Sequence, residues 1–506
     1  MKKLSSTLAC SFLSVLFAYG QGNSQGLNES PAVEMNFVRS LWFASGNAAG
    51  MAFNPLIDYG LLSMKYNLQS GDYKQQQRGD RERDMAFSTS GAIRVDKFLL
   101  WGDFNFSNRF VSGSTYNTNM YDPRPDMPYY VADTVYSDWK QQSYDMSLKA
   151  ALPLLDDRLA VGMAASYFTG QAAKQMDPRS VVLKYGISVE PSVVYRLNSN
   201  NSLGLTALYY NTFDRNSFTN SNNQVDQKVS LTKGLGNYST AFVGGLSGLD
   251  PWYYKGNTFG GSLQYGHHNS ALDALADIFA SLETVDVNET PSKPHKRGTT
   301  DKMTFGANLQ VLLKAASLHK ISLSVKQSST DGTEYIQELN NDPNVKQWVT
   351  ISQNVKSTYL YRSALLNYAM YLGAADAASD DLEDVRGYAW KIGANVAYTD
   401  REDKYLLPES WFRAQNLFAE LTVKKSFSLF ASSVVVLGVK AGYRKGLDGE
   451  YVFGGSDTQS RLVTDFYPLE LQYLKSDYLS AGCGLNWSFP LKKSSSLILG
   501  IDWRYQ

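Results

Sequence analysis

The chain has little cysteine and little histidine. Two cysteines and four histidines are spread over 506 residues. Cys10 lies in an N-terminal stretch, "MKKLSSTLACSFLSVLFAYGQGNSQG", with the form of an export signal. Lys2 and Lys3 give the charged start, an apolar stretch follows to Tyr19, and Ala18-Tyr19-Gly20 offers a small-x-small cleavage pattern. The spacing predicts a signal over residues 1–20 and a mature start at Gln21. A lipoprotein signal at Cys10 is the rival reading, but apolar residues continue well past that cysteine. Processing would leave Cys483 alone, which excludes an intramolecular disulfide and a cysteine metal cluster. Formal net charge is zero, so a nucleic-acid partner has no electrostatic support. No apolar run of helix-spanning length follows the signal, and mean hydropathy is −0.30. That value does not exclude a transmembrane barrel, whose alternating faces average to polar.

Histidine scarcity also bears on catalysis. A hydrolytic barrel needs an activated nucleophile with a base beside it. None of His267, His268, His295 and His319 falls on an apolar strand face next to a serine and an acid, so the expectation is no enzyme and no catalytic residues. His267 and His268 are adjacent and point to opposite faces of a strand, so no shared metal is expected. The acidic stretches "ASDDLEDVRG" and "DREDKY" lack calcium-loop spacing and read as solvated turns. No cofactor is expected.

Aromatic residues and alternation are abundant. There are 33 Tyr, 24 Phe and 9 Trp. In "LILGIDWRYQ", Leu497, Leu499, Ile501, Trp503 and Tyr505 share one side of an extended strand, and Asp502 and Arg504 lie on the other. The same period recurs in "YDMSLKAAL", "RLAVGMAASYF", "YGISVEPSVVYRL", "TFGANLQVLL" and "VVLGVKAGYRK". Many apolar rows end in Tyr, Trp or Phe, as interfacial girdles do. Short connections ("VDK", "LDD", "NSNN", "SLH") alternate with long ones at about 112–137, 213–253 and 287–301. A β-sandwich or propeller has no reason to sort loop length by end.

The expectation is therefore all-β: a transmembrane antiparallel up-and-down barrel of 14–16 strands, the oily rows facing lipid. The alternating segments number about 14 to 17, and even numbers are preferred. Counted literally, the last strand runs outward, so either the count is off or the wall is one strand short. "ALADIFASLETVDV" from Ala274 reads equally as strand or helix.

Residues 21–55 form a lead-in in which 32–45 suits a short helix, broken by Gly46, Gly50 and Pro55. Phe37, Leu41, Trp42 and Phe43 are the candidates for a plug in the periplasmic mouth. Packing on the barrel rim is the equal alternative. Residues 56–506 make the barrel.

The stretch "SLWFASGNAAGMAFNP" and the tyrosine-rich strands resemble outer-membrane β-barrel proteins of the Bacteroidota, in a family of unassigned function. Asn47-Ala48-Ala49-Gly50 with Asn54-Pro55 is also loosely similar to the N-terminal hatch of fatty-acid-transporter barrels. The resemblance implies an outer-membrane location in a Gram-negative bacterium and a role in envelope transport or assembly. It also implies a possible partner in a surface lipoprotein or a TonB-dependent transporter. It departs at the end, where Gln506 follows the closing aromatic.

The inward rows predict a lumen lined by Arg94, Asp103, Asp145, Lys149, Glu190, Arg196, Glu420, Lys424, Lys440, Arg444, Asp502 and Arg504. So many charges need water or pairing. Two readings follow: an accessory barrel that serves an uptake system, and a passive or gated porin-like channel for small solutes. A long aromatic loop folded over the mouth favours the first. A wide solvent path past Trp42 and Phe43 favours the second. The loop "TYNTNMYDPRPDMPYYVADTVYSDW" mixes Tyr, Trp, Asp and Asn in a way that suits sugar or protein contact.

Overall fold

A computed structural model describes residues 8–19, 29–156, 158–222, 224–244, 248–290, 294–342, 347–374, 387–492 and 495–506. The proposed cleavage site at 20–21 lies outside them, as does nearly all of "ASDDLEDVRG". Residues 8–19 are described by their backbone pairing.

Three short strands aside, the described strands between Tyr59 and Tyr505 build one antiparallel wall in which each wall strand pairs with the next along the chain. Seventeen strands make this wall. The sequence expectation of 14–16 is corrected upward. Leu272–Glu289, which contains the ambiguous "ALADIFASLETVDV", is a strand, paired along its length with Trp252–His268 and His295–Lys314. The expected long loop at 287–301 is also corrected. Its residues extend two strands that end at Glu289 and restart at His295. Likewise "DREDKY" closes the strand Trp390–Tyr405 and is no solvated turn. Its charges are taken up locally: Asp403 pairs with Arg401, Asp400 with Arg362 at 3.0 Å, and Glu402 with Lys404 at 2.6 Å.

An eighteenth strand, Leu8–Tyr19, lies between Tyr59–Ser70 and Ser495–Tyr505, antiparallel to both. Those two wall strands therefore run in the same direction. The last strand does run toward the long-loop end, as the literal count required.

Alternation explains the wall. Leu148 (63% exposed), Phe259 (62%), Leu282 (58%), Val439 (58%) and Leu479 (72%) stand on outward positions. Fully exposed rows of this kind would aggregate in water and suit the outer belt of a transmembrane barrel. Cys483 is on this outer face.

One mouth carries tight turns. Leu155 and Asp156 both take φ 51° in the short turn that joins the paired Leu154 and Leu159. The other mouth carries the long connections 115–136, 220–251 and 453–477. The sorting is not complete. Residues 175–178 and 406–409 are short at the long-loop mouth, and 373–389 is a longer connection at the turn mouth.

The long connections do not dangle. Val131–Ala132, Gln227–Gly234 and Asn237–Val243 form a small three-stranded sheet across the long-loop mouth. Its core includes Tyr129, Val131, Trp252 and Val287, all at most 1% exposed. A helical turn, Leu462–Phe466, packs Leu462 and Phe466 into this core and leads into the helix Tyr467–Lys475, whose Tyr467 packs against it. We call this assembly the cap.

Candidate functional site: a plug gripped by the barrel wall

At the tight-turn mouth, residues 30–57 lie inside the wall. Helix α1 (Ser30–Arg39) and the single turn α2 (Leu41–Ala44) are separated by Ser40, and a 3₁₀ turn follows at Ala48–Ala52. Pro31 at the start of α1 suits a position whose N–H needs no intrahelical partner. The wall meets the helix ends. Ser30 N–H donates to Ser488 Oγ at 3.1 Å, and Lys320 Nζ donates to the Val38 carbonyl at 3.3 Å.

Burial here is nearly complete. Met35, Asn47, Ala48 and Ala49 are 0% exposed. Leu41 and Trp42 are buried, and Phe37 and Phe43 meet wall rings edge-on. Their ring centroids lie 5.5 Å from Tyr59 and 5.1 Å from Trp101, respectively. The motif "NAAG" has a physical reason. Asn47 Oδ1 accepts from Gly50 N–H at 3.2 Å, and its Nδ2 donates to the Val193 carbonyl at 3.2 Å and Gln264 Oε1 at 3.0 Å. A Cβ at Gly50 would fall 2.2 Å from Trp42, and one on the wall at Gly162 would fall 2.4 Å from Ala49 N. Small residues let plug and wall touch backbone to backbone.

The lumen candidates divide by what they touch. Lys149 Nζ donates to the Phe43 carbonyl at 2.8 Å and the Ser45 carbonyl at 3.3 Å. Glu190 lies beside it, its Oε2 3.5 Å from where a Gly46 Cβ would be. Lys424 bonds Glu34 at 3.1 Å, and Arg196 stacks 4.4 Å from the Phe53 ring centroid. These four meet the plug. Arg444 reaches the other mouth, donating to Tyr73 and to the carbonyls of Tyr473 and Leu474 at 3.3 and 3.1 Å. Arg504 and Glu420 pair across the wall at 2.9 Å. Asp103 accepts from Asn105 at 2.7 Å, and Arg94 offers its backbone N–H to Asp58 at 3.2 Å. Among the described residues Asp145, Lys440 and Asp502 form no ion pair and lie on inward positions.

Sequence reasoning missed Glu34 as a site residue. Its carboxylate is bonded by Lys391, Lys424 and the Tyr388 hydroxyl, the last at 2.8 Å. Burial opposes its ionisation, but the charges of Lys424 and Lys391 and the hydrogen bonds outweigh that and hold its pKa down at about 2. A lone acid in the apolar stretch "SPAVEMNFVRS" was the available signal. A carboxylate there needs buried cations once the segment packs inside a wall.

The aromatic loop 115–136 is also revised. Tyr116, Tyr121, Tyr129 and Tyr130 are 1–7% exposed; Tyr121 packs against the wall and the other three belong to the cap's core, so they offer no surface platform. Tyr136 alone of the loop's tyrosines is exposed, at 57%. Within the cap, burial pushes the Glu470 carboxyl up, against its hydrogen bonds from Gln76 and Gln75. No group of metal-ligating side chains occurs among the described residues.

The sequence matches a family of unknown function, DUF6850, over residues 48–506. The chain belongs to that family. No curated protein matches it. Solved structures of similar shape include the ferric preacinetobactin receptor BauA from Acinetobacter baumannii. That receptor is 9% identical with TM-score 0.38, over 98% of this chain and 80% of the receptor. The siderophore receptor PiuA from Acinetobacter baumannii is 9% identical with TM-score 0.40, over 98% and 82%. A Pseudomonas aeruginosa FadL homologue is 12% identical with TM-score 0.35, over 96% and 99%. At these scores the likeness carries no argument about what the chain binds or moves.

Proposed function

We propose that the protein is an outer-membrane barrel of envelope transport, closed at rest, that works beside an uptake system. Its residues 1–20 direct export, and its partner is a surface lipoprotein or a TonB-dependent transporter. It is not an enzyme. The observation that carries this reading is the occupation of both mouths: the plug inside the turn mouth and the aromatic cap across the other. Trp42 is 7% exposed and Phe43 packs on Trp101, so no wide path passes them. A barrel closed twice suits an accessory role.

One observation supports a gated channel as the second reading. A wall of this strand number encloses an aqueous lumen when unfilled, and Asp145, Lys440 and Asp502 lie inward without ion pairs.

The test is single-channel conductance of the refolded barrel in a planar bilayer, with and without residues 32–55. The accessory reading expects silence from the intact protein and from the plug deletion, because the cap still closes the far mouth. Stable steps on deletion alone would replace it with the gated channel. Steps from the intact barrel would make it a porin.

A further inference from the structure

We propose that the cleft between the plug and the adjoining turns of the wall is a binding site for a small carboxylate, with Arg196 as its anion-binding group. The cleft measures about 90 Å³, and plug and wall line it together. Leu41, Trp42 and Asn54 come from the plug; Arg196, His267 and Leu275 come from the wall. On the measure in which one water needs ~10–15 Å³, the space takes roughly six to nine heavy atoms.

Arg196 is held but not used. Its guanidinium lies over the Phe53 ring, 4.4 Å from the centroid, a contact that leaves its N–H groups free. Among the described residues no carboxylate pairs with it and no acceptor takes its side-chain protons. The acid nearby is already committed. Asp273 bonds His268 Nδ1 at 2.6 Å and Lys314 Nζ at 3.1 Å. His267 is also fixed, between Asn201 at 2.9 Å and Asn269 at 3.0 Å. The cleft therefore has a free planar cation and no free anion.

Asn54 Oδ1 is also buried with no hydrogen-bond partner, but it is an acceptor that a carboxylate cannot satisfy, so it takes no part in holding the anion. Leu41, Trp42 and Leu275 supply an apolar floor. A fork of parallel N–H groups above such a floor fits a carboxylate with a short hydrocarbon tail. A phosphate dianion would need a second free cation, and Lys314 is taken by Asp273. A bound carboxylate would bridge plug and wall, so occupancy would pin the plug. This goes beyond the proposed function and stands whether or not the lumen conducts.

The carboxylate has two possible sources: a free short-chain acid, or the C-terminus of a peptide reaching the turn mouth. The test is calorimetric titration of the full-length barrel in detergent. The probes are butyrate, its neutral isostere butyramide, and the tripeptide Gly-Ala-Leu as free acid and as amide. Butyrate should bind at least about tenfold more tightly than butyramide, and Arg196→Gln should remove that difference. Arg196→Lys keeps the charge, loses the fork and should bind in between. Heat-modified gel migration confirms that each variant folds. Tripeptide acid that binds, while its amide does not, assigns the peptide source. Butyrate binding without tripeptide binding assigns the free acid. Equal affinity for butyrate and butyramide, no change in Arg196→Gln, or no butyrate binding up to about 50 mM would each overturn the site.

Discussion

The two mouths are closed by different physics. The cap is a small domain of its own, with a three-stranded sheet and a dry core in which Tyr129, Val131, Trp252 and Val287 are at most 1% exposed. The plug has no sheet. Apolar contact holds it as well, but its orientation is set by single polar contacts to the wall: Glu34 to two lysines, Lys149 and Lys320 to carbonyls, and Asn47 to Val193 and Gln264. A core assembled from three distant loops opens only as a unit. A segment held by a few charge-assisted bonds can be released by changing one of them. The plug is thus the better candidate for the moving part, and the cap for the fixed lid.

The largest expected effect is on the cap. Trp252→Ala removes the largest cap side chain and its hydrogen bond to Glu289 at 3.0 Å. The cost should be about 3–5 kcal/mol. Hydrogen exchange should rise across 115–136 and 227–243 together, while 30–39 keeps its protection. If the plug loosens equally, the two closures are one cooperative unit and the contrast fails.

A smaller effect is expected at the plug. Glu34→Gln leaves Lys391 and Lys424 facing a neutral amide. Both lysines are partly exposed, at 20% and 26%, so the cost should be about 2 kcal/mol, below that of breaking a fully buried pair. Exchange should rise over 30–39 and stay unchanged in the cap. Protection that does not move in 30–39 would show that apolar packing alone holds the plug.

Much of this was legible in the sequence. Period-two alternation is a strong signal when every strand has one face toward the outer belt, as Tyr144, Met146 and Leu148 show. Tight turns were legible for the same reason: "LDD" and "NSNN" interrupt the alternation. Strand number was not, because Leu272–Glu289 mixes acids with an apolar row and reads equally as a helix. The cap was not legible either. Tyr129 and Val131 look like any loop residues until 227–243 folds over them. Glu34 was hidden because its partners lie more than 350 residues away. The count that left the wall one strand short was informative. Val15 of the first strand pairs with both Met64 and Leu499. If export removes 1–20, those two residues become neighbours and the wall closes with a parallel pair. A Met64→Cys/Leu499→Cys protein in a Cys483→Ser background should then form a disulfide after export. It should form none while a strand separates them, because residues two strands apart are too far to bridge.

The smallest effect is the pH response of the plug. Glu34 has a folded-state pKa of about 2 against an ordinary value of 4.5. The unfolded or released plug therefore binds a proton more readily than the docked one. The stabilisation is fully present above about 4.5 and is lost as pH falls toward 2. Lys391, Lys424 and Tyr388 are the groups that face the carboxylate, and the transition is assigned to Glu34. Protease cleavage in 30–39 should be constant between pH 7 and 5 and rise below 4.5 in the wild type. In Glu34→Gln it should already be raised at pH 7 and change little on acidification. A wild-type plug that loosened between pH 7 and 5 would place the control on another group and remove Glu34 as the latch.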